Sequence, residues 1–315
     1  MKERTIIDVS NTIPTRELLW DSIGFLPKIF LKRWGKCVGL SDEEISKLHA
    51  LNAEEISEMF MKKCENRKDL SIEGMIQQLD EAGVHLTAIH NLDEETSTGM
   101  KPVPNEYIAE VMSKFPDYFI GFMGADPYKG AAAVKEIERG YRELALRAVV
   151  TRPYVNRVYA NDRCYYPIYA KCEELGIPLW VHCTMNWDSS QPMDNGRPIY
   201  LDKVATHFPN LKIIAGHGGW PWVNEMVGLL WRHKNVYADI SGHRFRYLAM
   251  PGSGWEMFFH YGNTVLQDKI LFGSDWITLA IPIKKMLQEF NEIPLEENVK
   301  EKWLWGNARK LFALN

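Results

Sequence analysis

From residue 71 onward the chain repeats one phrase, an amphipathic segment running into a short apolar stretch. "SIEGMIQQLDEAG" leads into "VHLTAIHNL", "PNEYIAEVMSKFPD" into "YFIGFMGADP", and "AAVKEIERGYREL" into "LRAVVTRPYV". The phrase returns as "YYPIYAKCEELG" before "IPLWVHCTMN", "YLDKVATHFPN" before "LKIIAGHGG", "WVNEMVGLLWRHK" before "NVYADISG", and a segment near 254–262 before "KILFGSDW". With the opening "TIIDV" this gives eight short strands, bounded by Gly, Pro or Asn and separated by helices, the pattern of parallel βαβ units. Eight such units over about 250 residues predict an α/β fold of the (β/α)8 TIM-barrel type. The competing doubly wound open sheet needs a G-x-G-x-x-G first turn, and "AGHGGW" comes late with a histidine inside it. Residues 15–70 break the rhythm: Ile45, Leu48, Leu51, Ile56 and Met59 recur at helical spacing among many charges. They predict a helical insertion after the first strand, a lid or an oligomer contact, within a single domain spanning 1–315.

Composition narrows the function classes. With 315 residues, 46% hydrophobic and 25% charged, a net charge of -4 and a pI near 6.2, the chain has no basic footprint for nucleic acid. No run approaches the roughly 20 apolar residues that cross a bilayer, and no signal-peptide core opens the chain, so a cytoplasmic location and no membrane partner are expected. The five cysteines form no C-x-x-C pair, which argues against a disulfide framework or a thiolate zinc site.

In such a barrel the chemistry sits at the C-terminal strand ends. Three strands end in polar residues that a core would not request: His182 in "LWVHC", His217 in "IIAGHGG" and Asp275 in "LFGSDW". Each has an ordinary explanation alone, a hydrogen-bonded structural histidine or, for Asp275, a helix N-cap. Their coincidence at one rim favours a catalytic set. Arg152 and Arg157 in "TRPYVNR", and His243, Arg244 and Arg246 in "SGHRFR", follow two further strands; a guanidinium fork suits a carboxylate, so a small carboxylated substrate is expected. Eleven tryptophans include Trp180, Trp187, Trp220, Trp222 and Trp276 beside these motifs, walls for a flat ligand or plain packing.

These motifs, with "IIDVSNT" on the first strand, "LKIIAGHGGWPWVNEM", "NVYADISG" and the terminal "WGNARKLF", resemble the amidohydrolase superfamily, within it the group of aminocarboxymuconate-semialdehyde and resorcylate-type decarboxylases. The resemblance implies one divalent metal, zinc or manganese. Its ligands would be a first-strand His-x-His or Glu-x-His pair, the fifth-strand histidine and the eighth-strand aspartate, with the sixth-strand histidine in acid-base or oxyanion duty. His182, Asp275 and His217 match the last three positions, whereas the first-strand pair falls on Ser10 and Thr12. Strand alternation predicts that Asp8, Ser10 and Thr12 share the interior face, Asp8 lying one layer deeper, roughly 7 Å below Ser10, as a buried carboxylate.

Hydroxyls are poor zinc ligands, so three arrangements stay open. His182, His217 and Asp275 could hold a metal as a three-ligand open site; the same residues could act without metal, arginines supplying positive charge; or the barrel could only bind. The metal-free enzyme is preferred. For the reaction, decarboxylation places an arginine on the carboxylate while Asp275 or His217 protonates carbon. Hydrolysis places Asp275 on water and a histidine on the oxyanion. Ser10, Thr12, Trp187 and Trp220 join Arg152, Arg157, His243 and Arg244 as expected substrate contacts, and a homodimer is the group's tendency.

Overall fold

The structure, a computed structural model, describes residues 5–314 apart from 21, 22, 24, 25, 27, 65, 66 and 189. Eight parallel strands, β1 Ile6–Asp8, β2 Val84–His90, β3 Phe119–Gly124, β4 Ala148–Thr151, β5 Leu179–His182, β6 Ile213–Gly216, β7 Val236–Asp239 and β8 Ile270–Leu271, neighbour one another in chain order. Val9 N donates to Phe272 O at 3.0 Å, which draws β8 back to β1 and closes the ring. This is the expected (β/α)8 barrel, with a helix before each strand from β2 onward.

Local chemistry sets the boundaries. Ser71 Oγ accepts from Gly74 N to start helix Ile72–Ala82, and Gly83, at φ 76°, ends it where a side chain would strain the backbone. Two apolar layers follow from the strand period. Alternate strand residues such as Ala88, Phe122, Val150, Trp180 and Ile214 fill the barrel, closed below by Ala308 and Leu311 of the terminal helix. The other parity, including Ile89, Met123, Val149, Val181 and Ala215, packs on the surrounding helices.

The expected insertion at 15–70, part of which lies outside the described residues, contains helices α1 Lys28–Val38, α2 Asp42–Lys47 and α3 Ala53–Cys64. Ser41 and Glu44 form a reciprocal capping box on α2. Trp20 meets Trp34 edge to face at 5.1 Å, and Trp34, Ile45, Ile56 and Phe60 belong to the same apolar core as the outer barrel layer. Two contacts tie the insertion to the C-terminal end of the strands: Phe30 packs edge to face on Trp187 beyond β5, and Arg33 Nη1 donates to Leu279 O beyond β8. Among the described residues, no helix is long and apolar enough to cross a membrane.

Candidate active site

At the ends of β1 and β8 the regular alternation stops. Ile7 and Val9 pack inside the barrel with Leu86 and Trp180, so Asp8 faces the opposite way; it pairs with Thr87 and accepts from Ser274 N at 2.9 Å, Ser10 N at 3.3 Å and the Ser274 hydroxyl. Val9 O then turns to His90 Nε2 at 3.0 Å while Ser10 O receives Asp275 N at 2.9 Å. This irregular step corrects the shared-face expectation: Ser10 alone returns to the interior, where a Cβ on Gly273 would lie 3.0 Å from both Ser10 Cβ and Ser241 Cβ. Thr12 is half-buried further along the same loop. Burial pushes Asp8 up to about 7 against the pull of its donors.

Asp275 occupies the left-handed region at φ 55°, costly for a non-glycine residue. It precedes the one-turn helix Trp276–Leu279 but makes no side-chain cap, which removes the capping explanation. Its Oδ1 accepts from Thr278 Oγ1 at 3.2 Å. Burial raises its pKa, with nearby His217 acting in the opposite direction.

His217 is likewise left-handed, at φ 67°. The glycines around it are sterically required: a Cβ on Gly216 would sit 2.1 Å from the Trp180 ring, and one on Gly242 would sit 2.8 Å from His217 Nδ1. Asp239, at the end of β7, is fully buried and organises this corner. It accepts from Trp180 Nε1 at 2.6 Å, His217 N at 3.1 Å, Ser241 N at 2.9 Å and the Ser241 hydroxyl. Ser241 Oγ also contacts His217 Nδ1 at 2.8 Å.

His182 completes the cluster. Its ring lies 4.9 Å from that of His217 and 4.5 Å from Tyr154, and its buried Nδ1 has no partner. Burial, with the Arg152 guanidinium nearby, lowers its pKa well below the ordinary imidazole value, which favours the neutral ring.

The structure thus brings His182, His217, Asp275 and Ser10 to one mouth and gives several other expected residues different work. Arg152 reaches the mouth, but its fork is taken by Glu94, with Nε to Oε1 at 2.7 Å and Nη2 to Oε2. Arg244 leaves the site for a buried pair with Glu289. Arg157 is exposed, its charge felt by the Tyr128 phenol. His243 stands one layer behind, donating from Nε2 to His217 O at 3.2 Å and packing on Trp220 and Trp255. Trp220 supports the β5 loop by accepting Thr184 Oγ1 on its carbonyl, and exposed Trp187 marks the outer lip. Sequence reasoning missed Glu94, Tyr154, Asp239, Ser241 and His90. Of these, His90 in "TAIHN" and Asp239 in "YADIS" stand at strand ends like His182 and carried the same signal.

The donors do not fit the four-ligand metal centre that the resemblance implies. Two of its four seats hold the hydroxyls of Ser10 and Thr12, which are poor ligands for zinc. Among the described residues no three His, Cys, Asp or Glu side chains form a group able to hold a metal ion.

The family model described as amidohydrolase matches residues 21–314. The gamma-resorcylate decarboxylase of Polaromonas sp. (strain JS666) is 25% identical over 345 residues, covering 96% of each chain. The 2-amino-3-carboxymuconate-6-semialdehyde decarboxylase of Dictyostelium discoideum is 27% identical over 243 residues, covering 67% of this chain and 66% of its own. The crystal structure of a dihydroxybenzoic acid decarboxylase from Polaromonas sp. JS666, with bound manganese and the inhibitor 2-nitroresorcinol, superposes with a TM-score of 0.65 at 21% identity, covering 99% of this chain and 98% of its own. With nearly its whole length inside the family match, and with strand-end residues on the expected barrel, the chain is an enzyme that belongs to the amidohydrolase family.

Proposed function

We propose that the chain is a carboxy-lyase that removes carbon dioxide from a small carboxylated aromatic or cyclic substrate. The observation that carries this reading is Asp275, a half-buried carboxyl held at φ 55° beside His217 at the barrel mouth, where desolvation favours its protonated form. Decarboxylation without redox needs a proton delivered to carbon as the C–C bond breaks, and a carboxyl whose surroundings favour its protonated form is suited to deliver one. His182 offers its unpartnered Nδ1 to a polar group of the substrate, and Tyr154, packed on His182, walls one side. The named activities of the two relatives, both decarboxylases, support the reaction class.

The test is carbon dioxide release from a panel of hydroxybenzoates and other carboxylated rings, with protein purified without added metal and assayed in chelator. Turnover is expected, and Asp275→Asn should lower it roughly 100-fold or more. Hydrolysis of esters, amides or lactones without carbon dioxide release would return the hydrolase assignment. Ligand-induced stabilisation without turnover, surviving Asp275→Asn, would mean a binding protein. Stoichiometric zinc or manganese lost on His182→Ala would replace the metal-free site by one in which His182, His217 and Asp275 are ligands.

A further inference from the structure

The reading above makes Asp275 the acid, and the hydrogen bonds behind His217 fix what that histidine can do beside it. Indole and backbone N–H groups can only donate, so Asp239 is an acceptor for Trp180 Nε1, His217 N and Ser241 N. The Ser241 hydroxyl lies between Asp239 Oδ1 and His217 Nδ1 with one proton to place. Given to the carboxylate, as the closer and charge-assisted bond requires, it leaves the serine oxygen able only to accept from the imidazole. Nδ1 must then carry the hydrogen.

We infer that Ser241 and Asp239 are positioning residues that keep a hydrogen on His217 Nδ1, so that the tautomer with a bare Nε2 is the one selected. The lock acts on the whole residue. Asp239 holds the His217 backbone N–H directly and its ring through Ser241, while His243 takes the carbonyl. Trp180 and His182 stand edge-on to the ring at 5.1 and 4.9 Å, and Gly242 leaves room beside Nδ1 for the serine contact and nothing larger. A histidine held at φ 67° by this many contacts is oriented for a purpose beyond packing. With the hydrogen on Nδ1, Nε2 is left to accept a hydrogen bond from a donor group of the substrate, beside Asp275 as the acid of the proposed reaction. The tautomer fixes this division of labour, which rests on the decarboxylase reading; the lock itself does not.

The experiment is long-range proton–nitrogen NMR on full-length protein with 15N-labelled histidine, above the pH at which imidazoles protonate. The His217 ring is identified by its disappearance in His217→Gln. The expected native spectrum has a pyrrole-type Nδ1 and a pyridine-type Nε2. Ser241→Ala should mix or invert the tautomers and lower kcat roughly tenfold or more while KM stays within about twofold. Ser241→Thr, which keeps the hydroxyl, should restore both. A native His217 protonated at Nε2 would overturn the inference without any variant. So would a Ser241→Ala protein whose ring shifts and kcat match the wild type. If no carboxylated substrate turns over, the decarboxylase reading falls while the ring-nitrogen assignment still decides this one.

Discussion

Glu94→Gln separates the two uses that Arg152 could serve. In the structure the Arg152 fork is closed on Glu94, whose side chain is 10% exposed against 29% for the arginine, and the guanidinium also lies 5.8 Å from the Tyr154 ring centre. Burial alone would lower the arginine pKa; Glu94 beside it overcomes that and raises it. Opposite charges about 4 Å apart at an effective dielectric near 20 attract by about 4 kcal/mol. Glutamine keeps the shape and one acceptor oxygen, and solvent reaches part of the guanidinium, so a net loss of about 1–3 kcal/mol is expected. An unfolding entropy near 2.1 cal/mol/K per residue, over 315 residues, turns this into a Tm lowered by roughly 2–5 °C. Differential scanning calorimetry measures it, and the Glu94→Gln, Arg152→Gln double variant should lose less than the two singles together. Because the substitution also frees a guanidinium at the mouth, benzoate-type anions should bind more tightly to Glu94→Gln than to the wild type. A Tm within about 1 °C of wild type, or strict additivity in the double variant, would refute the assignment of Arg152 to Glu94.

Three further outcomes follow from groups around the site. Asp8, pushed by burial up to about 7, is favourable when protonated, so its contribution is full below the unfolded carboxyl pKa near 3.9 and is lost as pH rises through 7. Asp8→Asn should therefore gain on the wild type by up to about 1.4 kcal/mol per pH unit across that window in urea denaturation, and parallel curves would contradict it. Burial lowers His90 to about 4 although its Nε2–H bond to Val9 O favours the charged ring, so the fold is more stable with the ring neutral. That stability is present above the unfolded value near 6.5 and lost as pH falls through 4, so His90→Gln should flatten the acid limb of the unfolding profile. Gly216→Ala would drive a Cβ to within 2.1 Å of the Trp180 ring, costing about 1–3 kcal/mol of overpacking. Displacing the indole from Asp239 should also change the near-ultraviolet circular dichroism, and an unchanged spectrum with unchanged Tm would mean the corner has slack.

The barrel was legible because each βα unit carries its own punctuation: Ser71 opens and Gly83 closes one helix, and Gly176 closes another at φ 67°. His182, His217 and Asp275 were legible because the fold brings strand ends together whatever the loops do. The partners were not. Glu94 is 58 residues from Arg152 and Glu289 is 45 from Arg244, and nothing local distinguishes an arginine that will find an acid from one left for a ligand. Asp8 misled for a different reason. Period-two reasoning assumes an unbroken strand, and β1 ends at Asp8, with the next two carbonyls turned to His90 and Asp275.

Charge balance connects the first-strand hydroxyls to the proposed chemistry. A divalent ion at this rim would offset the aspartates that cluster there, and imidazoles on β1 would help to hold it. Ser10 and Thr12 provide neither, and the guanidinium at the end of β4 is engaged by Glu94. Desolvation moves both Asp8 and Asp275 towards their protonated forms. On the proposed mechanism the proton on Asp275 takes over the charge-compensating part of a metal and is also what the reaction consumes. Restoring a first-strand imidazole pair by Ser10→His and Thr12→His should therefore favour metal binding at the expense of the acid, so that any metal gained accompanies lower decarboxylation in chelator-free buffer. A double variant that bound manganese and decarboxylated faster than the wild type would show that the proton on Asp275 is not the acid.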